Sequence, residues 1–574
     1  WFAVYILFAA LIITCAFVMR KNEQKNHIAE PERKSINLAK SSNSQTELHD
    51  NTGLKMKLKW ILWAFIPSSL MIGVTSYFSN HTDVNIIPFF WIIPLIIYLL
   101  SFIVTFSKTK ILPQAFSKIP FTTALVVFFL IACEEYYDFS PLSLLLIHGL
   151  GLLYISVLCH KELSDRRPNS KYLTDFYIWM SVGGILGGVF SSIIAPFIFK
   201  TTFEYWLVLI ACMFLYMYST SKGVITKMNI AADTGLALIM YGLIVYVDYY
   251  LMDFHLINYF TIIIAFCWIS YIAIHCIQRL FFKKQTLNVL KAIPLCIVAL
   301  LVLRIGIRFL DTSSYLYVER SFYGISKVSD SNSKYMKIYH GNTNHGSQFK
   351  SAKRKLEPIS YYHRLGPLGD FFRYISPISD DWNIGVVGLG AGGITTYSKP
   401  TQDWTYFEID PVVKKIASNP DYFTYVSTYK PRIIIGDGRL SLAKEPDEQY
   451  NVLIFDAYNS DSIPIHLVTA EALQLYATKL KKDGFMLFHL SNRHLDLEPI
   501  VGNVAAENGL QSYLKEFDTN KDAEQAGALD STWLIATKNT IAVDQLGEGW
   551  VKTEKDNTAP VWTDDRSSIM SSIK

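Results

Sequence analysis

The chain has 574 residues, of which 51% are hydrophobic and 18% are charged. This composition excludes an intrinsically disordered protein, because disordered chains are poor in apolar residues and richer in charge. The formal net charge of +4 is too small to indicate a nucleic-acid partner, and the sequence shows no basic groove with interleaved aromatic residues. Long apolar runs fill the first half and are nearly absent from the second. We therefore expect a membrane region followed by a soluble one.

The first region, residues 1–310, is predicted to be a polytopic α-helical membrane domain with a polar loop at 20–59. A helix needs roughly 20 apolar residues to cross a bilayer. Because Trp1 lies inside an apolar run without an initiator Met, we expect the sequence to be N-terminally incomplete. About ten apolar segments are present, near residues 1–19, 60–80, 86–106, 121–134, 142–159, 176–199, 203–219, 231–248, 256–278 and 289–309.

Loop charges give the predicted topology. Loops rich in Lys and Arg, such as 20–59, 161–171 and 279–284, should be cytoplasmic, and they alternate with loops that lack both residues. Ten spans would place the soluble region outside the cytoplasm. However, the last segment is uninterrupted only over 292–303, about half of a normal span, before Arg304. We therefore predict a multi-pass cell-membrane protein, in contact with the lipid bilayer, whose soluble region is cytoplasmic.

The sixth segment contains a face of small residues, formed by Gly183, Gly184, Gly187 and Gly188. Such a face lets two helices pack closely, and we prefer this interpretation to a transport path. The seven cysteines lie in or beside apolar runs in no metal-type spacing. We therefore expect neither a disulfide framework nor a metal site.

The second half is predicted to be soluble. Residues 311–381 should form a small antiparallel β section and a linker, because 323–328 and 336–339 are strand-like and lie between turn residues. Residues 382–574 alternate β runs with helical stretches, which predicts an α/β Rossmann-like domain with a doubly wound parallel sheet. The strands are expected at 383–387, 404–409, 432–435, 452–456 and 485–490, with a late addition at 533–537, and the helices at 411–418, 469–480 and 498–508.

Three consecutive strand ends carry a predicted adenosyl site. The glycines of the loop after the first strand are Gly388, Gly390 and Gly392. They let the backbone turn tightly beside a ligand, ahead of a helix N-terminus. Glu408 closes the second strand, where a carboxylate can accept hydrogen bonds from both ribose hydroxyls. Asp437, followed by Gly438, closes the third strand, placed to accept from an adenine amino group. The pattern favours S-adenosylmethionine or a relative. The alternatives are turn residues and helix caps, or a dinucleotide.

Asp456 ends the fourth strand, beside the mouth of this predicted pocket. A carboxylate there can accept the proton of an amine that attacks a sulfonium carbon, or it can hold a cationic substrate. The alternative is an aspartate that caps a helix.

The soluble half resembles a spermidine synthase (polyamine aminopropyltransferase). The whole chain resembles membrane-fused spermidine synthase-like proteins that have a transporter-like membrane half. The residues that carry the resemblance are Phe322-Tyr323-Gly324, His340-Gly341, His345 through Gln348, Tyr361-Tyr362-His363, the glycine loop, Glu408 through Pro411, Gly436-Asp437-Gly438, Asp456 through Thr469, and Trp562 through Asp565.

On the nucleoside side, the resemblance implies that Glu408 holds the ribose and that Asp437 and Gly438 hold the adenine. We also expect Gln348 to contact the methionine-derived tail of the ligand. The implied co-substrate is decarboxylated S-adenosylmethionine or S-adenosylmethionine, with no metal.

On the substrate side, the resemblance implies that Asp456 accepts the proton and that Tyr362 and His363 bind the substrate. Three acids of the family are replaced here, by Ala391 in the glycine loop, by Arg364 and by Asn459. A diamine is a dication, and its burial requires paired carboxylates. The acids that can supply replacement charge are Asp461, Asp564 and Asp565.

We therefore expect an integral membrane transferase that moves an aminopropyl group to a small amine. The alternatives are methyl transfer from the same co-substrate and a non-catalytic adenosyl-binding regulator of a transporter-like membrane half. The identity of the amine and the existence of a homo-oligomer are left open.

Overall fold

The structure, a computed structural model, describes residues 53–81, 92–107, 141–220, 312–330 except 313, 334–375 except 342, 381–458, 464–539 except 493 and 494, and 546–573. The chain divides into two compact units, of which the first comprises 1–56 and 168–173 and the second comprises 57–167 and 174–574. In the first unit, only 53–56 and 168–173 are among the described residues, and they include a 3₁₀ turn at Ser170–Tyr172.

The described part of the first half is helical. Its last long helix but one, Leu173–Val189, continues through a π-helical turn at Phe190–Ile194 into Ala195–Ile198. The helices are α1 (Leu54–His81), α2 (Ile92–Phe106), α3 (Pro141–Asp165), α4 (Leu173–Val189) and α5 (Phe203–Thr220).

Two of these helical stretches, Leu54–Asn80 and Ser170–Ile198, are long and apolar enough to cross a membrane. Ile92–Phe106 and Phe203–Cys212 are shorter apolar helices. Two such helices are weak support for a membrane domain, because length and composition alone do not separate a span from a buried core helix. The polytopic domain stays a prediction, and its segments at 1–19, 121–134, 231–248, 256–278 and 289–309 lie outside the described residues.

Two glycines explain how closely α4 approaches α1. A Cβ atom on Gly183 would lie 2.4 Å from the carbonyl oxygen of Ile61, and one on Gly187 would lie 2.4 Å from that of Phe65. Any larger residue would push the two backbones apart. The close-packing interpretation of this face is confirmed for these two positions.

The second half begins with a four-stranded antiparallel sheet whose strands follow chain order. This confirms the predicted antiparallel section. Its members are β1 (Tyr317–Ser321), β2 (Gly324–Ser329), β3 (Tyr335–His340) and β4 (Thr343–Phe349).

An eight-stranded sheet follows, in the order β12-β10-β11-β9-β8-β5-β6-β7. The strands are β5 (Asn383–Val387), β6 (Asp403–Glu408), β7 (Arg432–Ile435), β8 (Tyr450–Phe455), β9 (Leu480–His489), β10 (Gln511–Phe517), β11 (Ser531–Thr537) and β12 (Val551–Lys552). The helices around it include α6 (Pro411–Ala417), α7 (Gly438–Leu442), α8 (Ala470–Lys479) and α9 (Glu498–Glu507), with further short helical segments at Pro367–Asp370, Tyr425–Tyr429 and Lys521–Ala526.

This sheet is parallel only from β7 to β9, which corrects the expectation of a wholly parallel sheet. β11 runs antiparallel to β9, β10 antiparallel to β11, and β12 antiparallel to β10. The sequence prediction missed β10, whose Lys and Glu residues dilute its apolar alternation. The Rossmann-like architecture is nevertheless present, because helices alternate with the parallel strands.

Apolar clusters cover both faces of the large sheet. One cluster includes Leu473 of α8 and Ile500 of α9, and the other includes Trp382 and Trp533. Strands that are buried on both faces have nearly continuous apolar sequences, as β8 has. The carboxyl ends of the parallel strands therefore emerge together at one edge, which is where ligands bind in such sheets.

Candidate functional site

The loop after β5 passes between two other backbone segments. Gly388 has φ +97° and Gly390 has φ +53°, which side-chain-bearing residues rarely adopt. A Cβ on Gly388 would lie 2.2 Å from the carbonyl oxygen of Asp456, and one on Gly390 would lie 2.2 Å from that of His345. The glycines thus allow the ends of β5 and β8 to meet the edge of β4.

Gly392, with φ +83°, leads into a 3₁₀ turn at Gly393–Tyr397. The sequence predicted a helix N-terminus at this point. A five-residue 3₁₀ turn offers a weaker dipole than an α-helix. This finding argues against the dinucleotide alternative, because a pyrophosphate relies on that dipole.

Glu408, the last residue of β6, is buried, and each of its carboxylate oxygens accepts a backbone hydrogen bond. Oε2 accepts from the Leu389 N–H at 2.9 Å and Oε1 from the Asp410 N–H at 2.8 Å. Burial outweighs these bonds and raises the pKa of Glu408 to about 7. Each oxygen keeps a further lone pair that a ribose hydroxyl can use.

Asp437 caps α7, as the helix-cap alternative anticipated. Its Oδ1 accepts from the Leu440 N–H at 2.9 Å, and its Oδ2 lies 2.8 Å from His466 Nε2. The His466 side chain is 50% exposed, so an adenine amino group can compete with it for Oδ2. Gly438 lets α7 approach β5, since a Cβ there would lie 2.4 Å from Val387 Cγ1.

Asp456 follows β8, and both of its carboxylate oxygens have side-chain partners. The Tyr362 hydroxyl donates to Oδ2 at 2.5 Å, and His489 Nδ1 lies 2.6 Å from Oδ1. Burial, and then the negative charge of Asp456, raise the pKa of Tyr362 well above its ordinary value. Tyr362 is therefore a permanent donor to this carboxylate.

His489 is the main residue of the candidate site that the sequence prediction missed. Its Nε2 lies 2.7 Å from Ser491 Oγ, and that oxygen accepts from the Thr532 N–H at 2.9 Å. No motif marks His489. The available signal was strand order: β9 pairs with β8 with Phe488 opposite Phe455, so the residues that follow meet at the same edge.

The histidine predicted to bind the substrate, His363, and the two other histidines of the resemblance contact residues close to them in the chain. The Leu365 N–H donates to His363 Nδ1 at 3.3 Å, and it is Tyr362 that reaches Asp456. His340 and His345 stand perpendicular with ring centroids 5.6 Å apart. Burial lowers the pKa of His345 to about 3. Its buried Nε2 has no hydrogen-bond partner among the described residues.

Gln348 is buried, and its amide group is bonded to the protein. Nε2 donates to Lys355 O at 3.0 Å and to Thr424 Oγ1 at 2.9 Å, while Oε1 accepts from the Thr424 N–H at 3.0 Å. A contact with the ligand tail would use the remaining lone pair of Oε1 or exchange one of these bonds.

The acids expected to replace the missing family carboxylates have different positions. Asp564 accepts two hydrogen bonds from Arg439, both at 2.7 Å, so its charge is already compensated. Asp565 is exposed, and Asp461 lies outside the described residues. Ala391 is buried in an apolar cluster with residues such as Ile338, so an acid there would bury a charge without a partner.

Among the described residues, no group of three or more His, Cys, Asp or Glu side chains lies close enough to hold a metal ion. The metal-free chemistry stays a prediction.

Comparison with known proteins gives a partial similarity. No protein-family model matches the chain. The chain is 30% identical over 107 residues to a polyamine aminopropyltransferase from Vibrio vulnificus (strain CMCP6), which covers 18% of this chain and 35% of that protein. The chain thus spans about a third of the curated relative that it matches. Part of the chain is therefore similar in sequence to a polyamine aminopropyltransferase.

Solved structures align with lower similarity. A probable spermidine synthase from Corynebacterium glutamicum ATCC 13032 is 12% identical, with a TM-score of 0.34 over 42% of this chain and 90% of that one. Spermidine synthase from Thermotoga maritima is 16% identical, with a TM-score of 0.30 over 40% and 75%. The Rossmann-like fold follows from the strand order and the helices of this chain itself.

Proposed function

We propose that this chain is a membrane-bound spermidine synthase-like transferase of polyamine biosynthesis that moves an aminopropyl group from decarboxylated S-adenosylmethionine to an amine. The observation that carries the proposal is the carboxylate of Asp456, held by Tyr362 at a strand end in contact with the glycine loop. Glu408, at the end of the strand on the other side of β5, supplies the second acid of the same edge.

The nucleoside side supports an adenosyl ligand. Glu408 offers two oxygens for the ribose hydroxyls, and Asp437 offers one oxygen for the adenine amino group. Ile409 and Ile435, which follow Glu408 and end β7, are 40% and 42% exposed. Such apolar surface beside two acids suits a flat base with a polar edge.

The reaction would be a direct displacement. The amine nitrogen forms a bond to the carbon next to the sulfonium, the carbon–sulfur bond breaks with its electron pair moving to sulfur, and methylthioadenosine leaves. The amine loses one proton to Asp456. Placement of the two reactants supplies the rest of the acceleration. Departure of methylthioadenosine needs no acid catalyst, because it leaves as a neutral thioether.

Among the described residues, Asp456 is the carboxylate that we assign to the amine side, and its single charge bears on the acceptor. Ala391 and Arg364 stand where the family has acids, and Asp564 is compensated by Arg439. A dication would need more negative charge than Asp456 alone provides. Unless Asp461 contributes, the acceptor carries less charge than a free diamine.

We place the helical first half in the cell membrane and the α/β region in the cytoplasm. Cytosolic synthesis of S-adenosylmethionine-type ligands and the short last apolar segment support this sidedness. The test is Lys521→Cys in a Cys-free background, treated with a membrane-impermeant thiol reagent. Labelling only after permeabilisation is expected, whereas labelling of intact cells would overturn the cytoplasmic placement.

A second candidate is an adenosyl-binding regulator of the helical half, favoured by one observation. Arg320 donates to both carboxylate oxygens of Glu204, at 2.9 and 3.0 Å. The next residue, Ser321, donates to Asp410 Oδ2 at 2.7 Å, and the N–H of Asp410 donates to Glu408. A polar path thus joins a helix of the first half to the predicted ribose acid.

One experiment separates these functions. The purified full chain is titrated with S-adenosylmethionine and its decarboxylated form, then incubated with a panel of amines, and the products are identified by mass spectrometry. Methylthioadenosine with an aminopropylated amine supports the proposal. A methylated product indicates a methyltransferase, binding without turnover supports the regulator, and no binding of either ligand contradicts all three.

A further inference from the structure

The imidazole of His489 is held in one orientation at the end of β9. Its ring stacks on Trp533 with centroids 4.8 Å apart and an interplanar angle of 18°. Tyr361 contacts it with a centroid distance of 5.0 Å, and the Tyr458 hydroxyl donates to its backbone carbonyl. The side chain is 5% exposed. Few other orientations are open to a ring packed in this way.

For an ionised Asp456 and a neutral imidazole, the hydrogen bonds around this ring have one consistent direction. An ionised Asp456 can only accept, so His489 Nδ1 carries the proton of the 2.6 Å bond. In the neutral imidazole, Nε2 is then an acceptor. Ser491 Oγ already accepts from the Thr532 N–H, which leaves its own proton for Nε2. The series therefore runs from Thr532 through Ser491 and His489 to Asp456, with every donor matched to an acceptor.

We infer that His489 is a positioning residue that holds Asp456 as an oriented, ionised base, with Ser491 fixing the tautomer. This inference rests on the proposed function. Tyr362 and His489 each occupy one lone pair, on different oxygens of the carboxylate, and leave the other lone pairs for the proton of the amine. In serine hydrolases an aspartate orients a histidine; here the histidine orients the aspartate.

Loss of this donor should affect catalysis more than ligand binding. The titratable groups that face Asp456 are Tyr362, His489, His345 of β4 and Tyr406 of β6. Removing the His489 N–H disfavours the ionised carboxylate. The acid limb of the pH–rate profile should therefore move to higher pH, which a purely structural role would not produce.

The variants are His489→Phe, which keeps a ring against Trp533 without the donor, and His489→Asn, whose amide can place an N–H near the Nδ1 position. We expect His489→Phe to lower kcat about 10- to 100-fold, the range for losing a hydrogen bond to a charged group, with the acid limb moved upward and methylthioadenosine affinity unchanged. His489→Asn should recover most of the loss. Ser491→Ala should lower kcat a few-fold, with the exposed Ser567→Ala as its matched control.

Equal kcat and equal pH profiles for wild type and His489→Phe would overturn the inference. If wild type forms no product with any amine, the proposed function fails instead. In that case ¹⁵N spectra of the histidine-labelled full chain decide, with the His489 signal identified by its loss in His489→Phe. A proton on Nδ1 that is perturbed by Asp456→Asn supports the inference, and an unprotonated Nδ1 overturns it.

Discussion

The proposed nucleoside side and the proposed amine side of the cleft are built in different ways. On the nucleoside side, Glu408 and Asp437 bind backbone N–H groups of residues at most 19 positions away in the chain. On the amine side, Asp456 binds side chains that are 94 and 33 positions away. Backbone donors hold both acids of the first pair, with the half-exposed His466 as an additional side-chain partner of Asp437, whereas side-chain packing from several elements holds Asp456.

This difference implies different sensitivity to substitution. A backbone N–H survives any neighbouring substitution that preserves the fold, so the nucleoside side should respond mainly to changes in its own two acids. The amine side should also respond to changes in Tyr362 and His489, because a lost partner leaves a partly buried carboxylate undersatisfied. Four measurements test the comparison.

The largest expected effect is on the amine side. Asp456→Asn should lower kcat by about 10²-fold or more, the usual scale for losing a positioned base, while methylthioadenosine affinity measured by calorimetry stays unchanged. Asp483→Asn, at an exposed site of β9, is the matched control. Wild-type turnover by Asp456→Asn would show that the base lies elsewhere.

On the nucleoside side, Glu408→Gln should weaken methylthioadenosine binding by roughly 1–3 kcal/mol, the cost of a charge-assisted hydrogen bond. In either orientation, the glutamine side chain also places its amide N–H beside the backbone N–H of Leu389 or of Asp410. Two donors cannot bond to each other, so one hydrogen bond is lost. Calorimetry with the exposed Glu554→Gln as control measures the effect. An unchanged affinity would remove Glu408 from the ligand site.

Methylthioadenosine binding should also depend on pH through Glu408. Burial raises the pKa of Glu408 from 4.5 to about 7, so its contribution to the stability of the free protein is present below pH 4.5 and is lost as the pH rises through 7. Ribose hydroxyls donate to the ionised form. Methylthioadenosine affinity should therefore rise roughly tenfold from pH 6 to pH 8. A flat profile in wild type would contradict this, and Glu408→Gln should be flat.

Asp437→Asn should have the smallest effect. Asparagine caps helices as well as aspartate does, and the partner that it weakens, His466, is half exposed. We expect the methylthioadenosine affinity to fall by less than about 1 kcal/mol. A loss as large as that of Glu408→Gln would show that the Asp437 charge itself holds the adenine, and would make the two acids equivalent.

The parts of the site that sequence could predict follow the same division. Glu408, Asp437 and Asp456 lie at the ends of short apolar runs, and each run is a parallel strand, so their common edge followed from local patterns. The partnership of Asp456 with His489 did not, because it depends on β9 lying beside β8. The antiparallel β10 likewise depends on which elements pack together, and a single sequence does not specify this. The role of Asp437 as a cap, in contrast, is a local contact three residues along the chain, and it was among the sequence alternatives.

The ion pair between Arg320 and Glu204 limits where the chain can be truncated or fused to another protein. The two side chains are 6% and 0% exposed, and removing one partner of a buried pair costs about 3–5 kcal/mol. The second half of the chain, which begins with the sheet that carries Arg320, therefore loses this ion pair if it is separated from the helical first half. Truncations made for expression, chimaeras and substitutions near Glu204 should all be judged by their effect on Arg320, because Glu204 is its buried partner.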